Sequence, residues 1–367
     1  MEKIIHDIFE LEKTDPIDYT GYYKDYDIFR ETDSEGLTPE IFISSGNRTA
    51  GKTFFFKALL VRLFLTFGHQ FMLLTRKMTQ LGSVGRSFYS DLEDSPYFTD
   101  CKFSVDKSEI AGVKSINVNG TVMAYITYIN YEDDLKEASN LFNRVSIILK
   151  DEFQSRDNKY CENEVIKVRS IHKSVARRFG QHTRYVPLLL VGNHISVINP
   201  YYLSLGIYKI IQPKTKRLRG VGWVLHVTFN REAARKGKES RFELAFGEDD
   251  FYRSNNENVY LDNKSMVEKC NTKDMRCIMS FVRMNNGKTY NYNLWQATNF
   301  FYVTRTNCRT RMTYALDIDS HNENTILLRP GNLLFTSLKS YFDQGKMKFQ
   351  DSDCKSVMVE LFITTML

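Results

Sequence analysis

An α/β fold organised around a mainly parallel sheet follows from three observations. Short, continuous apolar runs alternate with longer helical patterns; several runs end in glycine or in acids; and one run passes through a glycine loop straight into an apolar helix. At 367 residues the chain exceeds a single typical domain, so a second, smaller domain is expected. The 42% hydrophobic content, with 26 Phe and 21 Tyr, is enough for a large core and excludes wholesale disorder.

The elements follow in chain order. After an acidic, Tyr-rich leader, Glu40 to Ser45 reads as a buried strand, and residues 53–67, apolar nearly all round and closed by Gly68, as a buried helix. Gln70 to Thr75 is a second strand. Val113 to Thr127 alternates around Asn119-Gly120, the signature of a hairpin. Val145 to Leu149 and Val186 to Val191 are continuous apolar strands, separated by a helix over Glu162 to Arg178; Trp223 to Phe229 is a further strand. Arg231 to Lys273, rich in charge and Asn, reads as a partly helical linker. Strands at Arg276 to Arg283 and Thr289 to Trp295, then helices near Asn332 to Asp343 and Cys354 to Thr364, make the small domain. The expected division is therefore 1–39 leader, 40–230 main domain, 231–273 linker and 274–367 small domain.

Composition excludes some partners and suggests others. The longest apolar stretches, Ala58 to Leu65 and Val186 to Val191, are too short to span a bilayer, and no secretory signal opens the chain. A soluble, intracellular protein is expected. The six cysteines form no CxxC pair and the seven histidines show no ligand spacing, which argues against a structural zinc. The net charge of +6 is uneven: residues 1–40 hold 12 acids against 4 bases, leaving +14 on the remainder. A basic body suits a polyanionic partner such as nucleic acid.

The sharpest motif is Gly46-Asn47-Arg48-Thr49-Ala50-Gly51-Lys52-Thr53, a complete GxxxxGK[ST] between a strand and a helix. Its glycines let backbone N–H groups face phosphate oxygens, Lys52 neutralises β and γ phosphates, and the Thr53 hydroxyl ligates Mg²⁺. The strand ending in Asp151-Glu152 delivers two carboxylates at the sheet edge where ligands bind. Asp151 suits the Mg²⁺ site and Glu152 suits directing water in line with the γ-phosphate; acids there also serve as helix caps. A hydrolytic Glu beside the Mg²⁺ Asp is not what a small-molecule kinase needs. The guanine signature NKxD is absent too, since Asn263-Lys264 continues as Ser265-Met266. ATP hydrolysis is favoured.

Other polar residues carry two readings each. Asn193, at the end of its strand, is either a turn residue or a sensor of the γ-phosphate. Arg177, Arg178 and Arg184, at or beyond the basic helix, are either a solvated face or the source of an arginine finger for a neighbouring subunit's ATP. Lys77, Arg86, Lys214, Lys216, Arg217 and Arg219 are either ordinary loop cations or trackers of DNA phosphates.

On these residues the sequence resembles the genome-packaging ATPases of tailed phages, in particular the encapsidation ATPases of small podoviruses. The likeness runs through Arg48 in the loop, Phe71 to Arg76, Asp151-Glu152-Phe153, Asn163-Glu164-Val165 and Asn193 to Leu203. It implies a P-loop NTPase of the additional-strand, catalytic-glutamate type with a vestigial RNase H-like C-terminal domain. It also implies a homo-oligomeric ring, typically a pentamer, on the portal of a phage prohead, moving double-stranded DNA inward with ATP and Mg²⁺. An adaptor packaging RNA is left open. Carried over, Arg177 or its neighbour Arg178 matches the trans-acting arginine, Asn193 the coupling residue and Lys136 a lysine acting between subunits. The strand Arg276 to Arg283 has no acid, and Asp317 and Asp319, read on one later strand, lack evident partners, so no nuclease activity is expected. A terminase with a working nuclease, a non-translocating nucleic-acid-binding ATPase and a structural shell protein are the alternatives.

Overall fold

The computed structural model describes residues 2–155, 160–177, 183–212, 215–247, 252, 267–285, 288–305, 308, 312–329 and 331–363. The chain forms two compact units, Met1–Ile195 with Ile211–Val259, and Ser196–Ile210 with Tyr260–Leu367. Ser196–Ile210, grouped by sequence pattern with the main domain, thus clusters with the second unit. Among the described residues no helix is long and apolar enough to cross a membrane.

The first unit is built on a sheet ordered β3 (Phe103–Lys107), β4 (Val113–Val118), β5 (Thr121–Tyr128), β2 (Gln70–Thr75), β6 (Val145–Asp151), β7 (Leu188–Asn193), β1 (Ile41–Gly46), β9 (Trp223–Thr228) and β8 (Arg217–Gly220). From β5 through β9 neighbours run parallel, whereas β3, β4 and β8 pair antiparallel at the two edges. The central strands are buried on both faces, which is why they read as unbroken apolar runs. Strand β7 stands between β1 and β6, so their C-terminal ends share one edge without being adjacent. The β4–β5 turn holds Asn119 at φ 50° and Gly120 at φ 77°, the left-handed pair a two-residue hairpin demands.

Helix α2 (Lys52–Phe67) starts after Gly51 and stops at Gly68, whose φ of 74° lets its N–H return to Phe64 O at 2.8 Å. Its apolar circumference has a cause in the leader. Helix α1 (Lys3–Lys13) buries Ile4, Ile5, Ile8 and Leu11, and Tyr19, Tyr23 and Tyr26 set ring edges against Phe55 at centroid distances of 5.5, 5.5 and 5.1 Å. Leader acids close the remaining polar gaps. Asp15 meets Arg62 at 2.8 Å, Asp7 meets His69 at 2.8 Å, and Asp25 meets His226 at 2.8 Å. The acidic segment is therefore part of the first unit's core rather than a free tail. Helices α3 (Leu81–Glu93), α4 (Glu132–Glu137) and α5 (Glu164–Ala176) complete the cover.

The second unit begins with the short helices α6 (Pro200–Ser204) and α7 (Ile207–Ile210); Asn199 Oδ1 caps α6 by accepting from Tyr201 and Tyr202 N–H at 3.1 and 3.0 Å. Within 231–273, the expected linker, α8 (Arg231–Glu239) and α9 (Arg241–Phe246) are helical and belong to the first unit; 248–251 and 253–266 lie outside the described residues. The second unit's sheet is ordered β14 (Ile326–Leu327), β13 (Thr313–Ala315), β10 (Arg276–Asn285), β11 (Lys288–Gln296), β12 (Phe301–Thr304) and β15 (Met347–Phe349). Strands β10, β11 and β12 form an antiparallel meander, with β13 parallel to β10 and β14 parallel to β13. Helices α10 (Leu333–Asp343) and α11 (Ser352–Ile363) pack through Phe342 and Phe362, 5.2 Å apart. Asp317 and Asp319 are not on a strand: they follow β13 in a bend. There Asp317 accepts from Ser320 N–H at 2.7 Å and faces Arg283 at 3.9 Å, so it has partners the sequence pattern did not reveal.

Candidate functional site

The parallel core brings three strand ends together. Gly46 on β1 is in register with Asn193 on β7, and Val191 on β7 with Asp151 on β6. Gly46 has no room for a side chain, since a Cβ there would lie 2.5 Å from Thr228 Oγ. Gly51 at φ 91° and Thr49 at φ 58° curl the loop back so that α2 begins with Lys52 and Thr53. Asn47 locks the loop's base by trading hydrogen bonds with the Asn230 backbone, donating at 3.1 Å and accepting at 2.9 Å. The leader braces the outside: Tyr23 N–H donates to Ala50 O at 2.7 Å, and the Tyr22 ring lies 3.3 Å from where a Gly51 side chain would start.

Lys52 is buried, donates to Asn47 O at 2.6 Å and reaches Asn193 Oδ1 at 3.4 Å. Burial lowers its pKa to about 8, against the opposing pull of Asp151. A cation this poorly solvated favours an arriving anion. Thr53 Oγ stands 3.4 Å from Asp151 Oδ1, and burial, reinforced by the Glu152 charge, raises the Asp151 pKa even though Glu152 N–H donates to it at 2.9 Å. A hydroxyl and a carboxylate oxygen this close form a hard donor pair of the kind that suits Mg²⁺.

Glu152 adopts φ 51°, left-handed for a non-glycine residue, at a cost of about 1 kcal/mol. Its exposed carboxylate makes no hydrogen bond or ion pair among the described residues. The groups open on two cavities: one of about 450 Å³ lined by the loop with Asp151 and Asn193, and one of about 580 Å³ reaching Glu152, Arg76, Lys57 and Asp91.

Not every expected residue converges here. Arg177 is exposed at the C-terminal end of α5, whose thirteen residues place it roughly 20 Å along the helix from Glu164. Arg184 marks that end of α5, since its N–H donates to Ala176 O at 2.9 Å and its guanidinium to Phe142 O at 3.0 Å, ahead of β6. The Arg177 end of α5 thus lies at the sheet edge opposite the loop. Lys136 on α4 holds an exposed pair with Asp133 at 2.5 Å. Lys77 is exposed at the lip of the larger cavity and Arg86 on the surface of α3. Lys216 and Arg219 are exposed at the outer strand β8, where Arg217 is tied to the leader's Glu31 at 2.6 Å. Arg178 and Lys214 lie outside the described residues.

Two residues at the site escaped sequence reasoning. Lys150, buried behind Asp151, donates to Asp151 O at 3.2 Å, and burial lowers its pKa to about 8. Arg76, at the end of β2, binds Glu164, a partner 88 positions away that no local pattern could signal.

A family model described as Podovirus DNA encapsidation protein (Gp16) matches residues 39–367. The chain belongs to this family. Among encapsidation relatives, the DNA packaging protein of Bacillus phage phi29 is 24% identical over 326 residues, 86% of this chain and 91% of the relative. That of Bacillus phage PZA is 23% identical over 325 residues, with the same coverage of each chain. A chain of the bacteriophage Phi-29 viral genome packaging motor assembly superposes with a TM-score of 0.57 at 21% identity, covering 94% of this chain and 99% of that one. A chain of the Phi-28 gp11 DNA packaging motor superposes with a TM-score of 0.55 at 16% identity over 94% and 98% of the two chains. The encapsidation fold is thus common to all three, while the leader precedes the range of the family model.

Proposed function

We propose that this DNA encapsidation protein is an ATP-hydrolysing motor that drives double-stranded DNA into a preformed capsid, acting in the host cytoplasm and docking on the prohead portal. One observation carries the reading: the glycine loop, Lys52, the Thr53–Asp151 pair, Glu152 and Asn193 converge at the C-terminal edge of one parallel sheet. Loop amides and Lys52 hold the β and γ phosphates. Thr53 and Asp151 would hold Mg²⁺, which would supply positive charge against the phosphates. Glu152 orients the attacking water, and Asn193, within reach of Lys52, registers loss of the γ-phosphate. Lys77, Arg86, Lys216 and Arg219, exposed cations, are the groups assigned to DNA phosphates.

The position of Arg177 supports a trans role, because its end of α5 is remote from the loop of its own chain. A ring of identical subunits, five in the pattern the resemblance implies, puts that arginine against the next subunit's ATP. For the small domain, the strand order β14-β13-β10-β11-β12 with β11 antiparallel to its neighbours supports an RNase H-like sheet. On its first strand Ser280 shares a 2.6 Å hydrogen bond with Asn293, where two-metal cleavage needs converging carboxylates. That supports a domain that does not cut, with DNA or shell contact as the role the resemblance implies for it. The deciding experiment mixes Arg177→Ala with Glu152→Gln subunits and follows ATP turnover. Partial recovery over either parent is expected, and a mixture as inactive as both parents sinks the trans role.

A further inference from the structure

A base that directs water must have its carboxylate held in place, yet Glu152 sits at φ 51° and its own side chain has no bond to the described residues. The bend must be held from elsewhere. We propose that Arg76 is the positioning residue of the hydrolytic site: it pins the backbone carbonyls of Glu152 and Phe153 and is itself anchored on Glu164, the first residue of α5. The inference rests on the reading of Glu152 as the water-directing base.

The contacts form one rigid fork. Arg76 Nη1 donates to Glu152 O at 2.9 Å and Nη2 to Phe153 O, while Nε meets both Glu164 oxygens at 2.9 and 3.2 Å. The guanidinium lies over Tyr160, 4.9 Å from the ring centre. Glu164 is in turn fixed, with a fully buried side chain that accepts from Cys161 N–H at 2.9 Å. Only a planar guanidinium serves three acceptors in set directions; a lysine ammonium in its place would be a point charge on a flexible stem. The next residues are tied as well. Phe153 is fully buried with its N–H on Val191 O at 3.2 Å, and Gln154 Oε1 accepts from Ile195 N–H at 3.1 Å, just beyond Asn193. A buried ion pair is weak evidence for stability, since apolar side chains often replace one at little cost. The two carbonyl bonds add what stability alone does not require: a fixed direction for the peptide that carries Glu152.

The test uses the full chain in three variants: Arg76→Lys, Arg76→Met combined with Glu164→Leu, and Glu152→Gln. ATP turnover gives kcat and KM, calorimetry with MgADP gives nucleotide affinity, and thermal unfolding reports the fold. The double variant is expected to keep MgADP affinity within about twofold while kcat falls on the order of a hundredfold, as misplacement by an ångström produces. Arg76→Lys is expected to move the same way by less, and it carries the test should the double variant not fold. Unchanged kcat in the Arg76 variants, with Glu152→Gln inactive, overturns the role of Arg76 alone. MgADP affinity and kcat falling together in Arg76→Lys also overturns it, because the arginine then supports the whole pocket. A Glu152→Gln variant that still turns over ATP sinks the base reading instead.

Discussion

The acids of the leader and the acids at the end of β6 are the same chemistry placed in opposite surroundings. Asp7, Asp15 and Asp25 each meet a cationic or imidazole partner at 2.8 Å, and Asp33 accepts Gly222 N–H at 2.7 Å. Among the described residues Asp151 accepts hydrogen bonds from neutral donors alone, Thr53 and a backbone N–H, with the Lys52 and Lys57 charges acting without a bond, and the Glu152 carboxylate accepts none. Burial raises the Asp151 pKa, whereas hydrogen bonds from Gly222 and Leu37 lower that of Asp33. Counted by charge, the two groups look alike; partners separate them. An acid served by its own chain is structural, whereas one with few partners of its own suits a cation or a water.

The largest break in the contrast is at the unserved acids. Glu152→Gln is expected to lower ATP turnover on the order of a thousandfold with MgADP binding retained, and Lys52→Ala to remove binding as well. Steady-state turnover and calorimetry read the two apart. Next comes the served group: Asp15→Ala takes the carboxylate from Arg62, whose side chain is 11% exposed and keeps only its bonds to Leu11 O, Thr14 O and the Tyr26 hydroxyl, and is expected to cost about 3 kcal/mol in urea unfolding. Asp151→Asn is expected to leave stability unchanged or raised while abolishing turnover, a crossing of effects that would fail if both acids were structural.

A smaller effect comes from pH. Lys52 has a folded pKa near 8, below the value for an exposed lysine, so the folded state binds fewer protons and stability should rise as pH climbs above 8. The phosphates need the ammonium form, so MgADP affinity should fall over the same range, by up to about tenfold per pH unit. Calorimetry at pH 7, 8 and 9 checks the sign. The smallest effect is expected at Lys136→Ala, whose exposed pair with Asp133 leaves thermal unfolding where it was.

Much of this was legible because it is local. The apolar run Gln70 to Thr75 has the bounds of its strand, Asn119-Gly120 marks its hairpin, and the glycine loop lies between the strand and helix that its pattern requires. Other features were not local. The leader's helix shows Ile4, Ile5, Ile8 and Leu11 on one face, but a charge count weights the leader's acids, and the partner of one of them, Asp25, lies 201 positions away. The Arg76–Glu164 contact and the grouping of Ser196–Ile210 with the second unit are likewise products of the finished fold. The edge strand β8, alternating cations with Leu and Gly, has the composition of a basic loop and is a strand only through its pairing with β9.

The leader's place against α2 bears on how the protein should be handled. Cutting back to residues 39–367, the span of the family model, would strip α1 and three tyrosines from Phe55 and unhook Tyr23 from Ala50. The shortened product would bare a greasy flank and a slackened glycine loop, so it should clump on purification, and poor nucleotide uptake by such a fragment would say nothing about the intact protein.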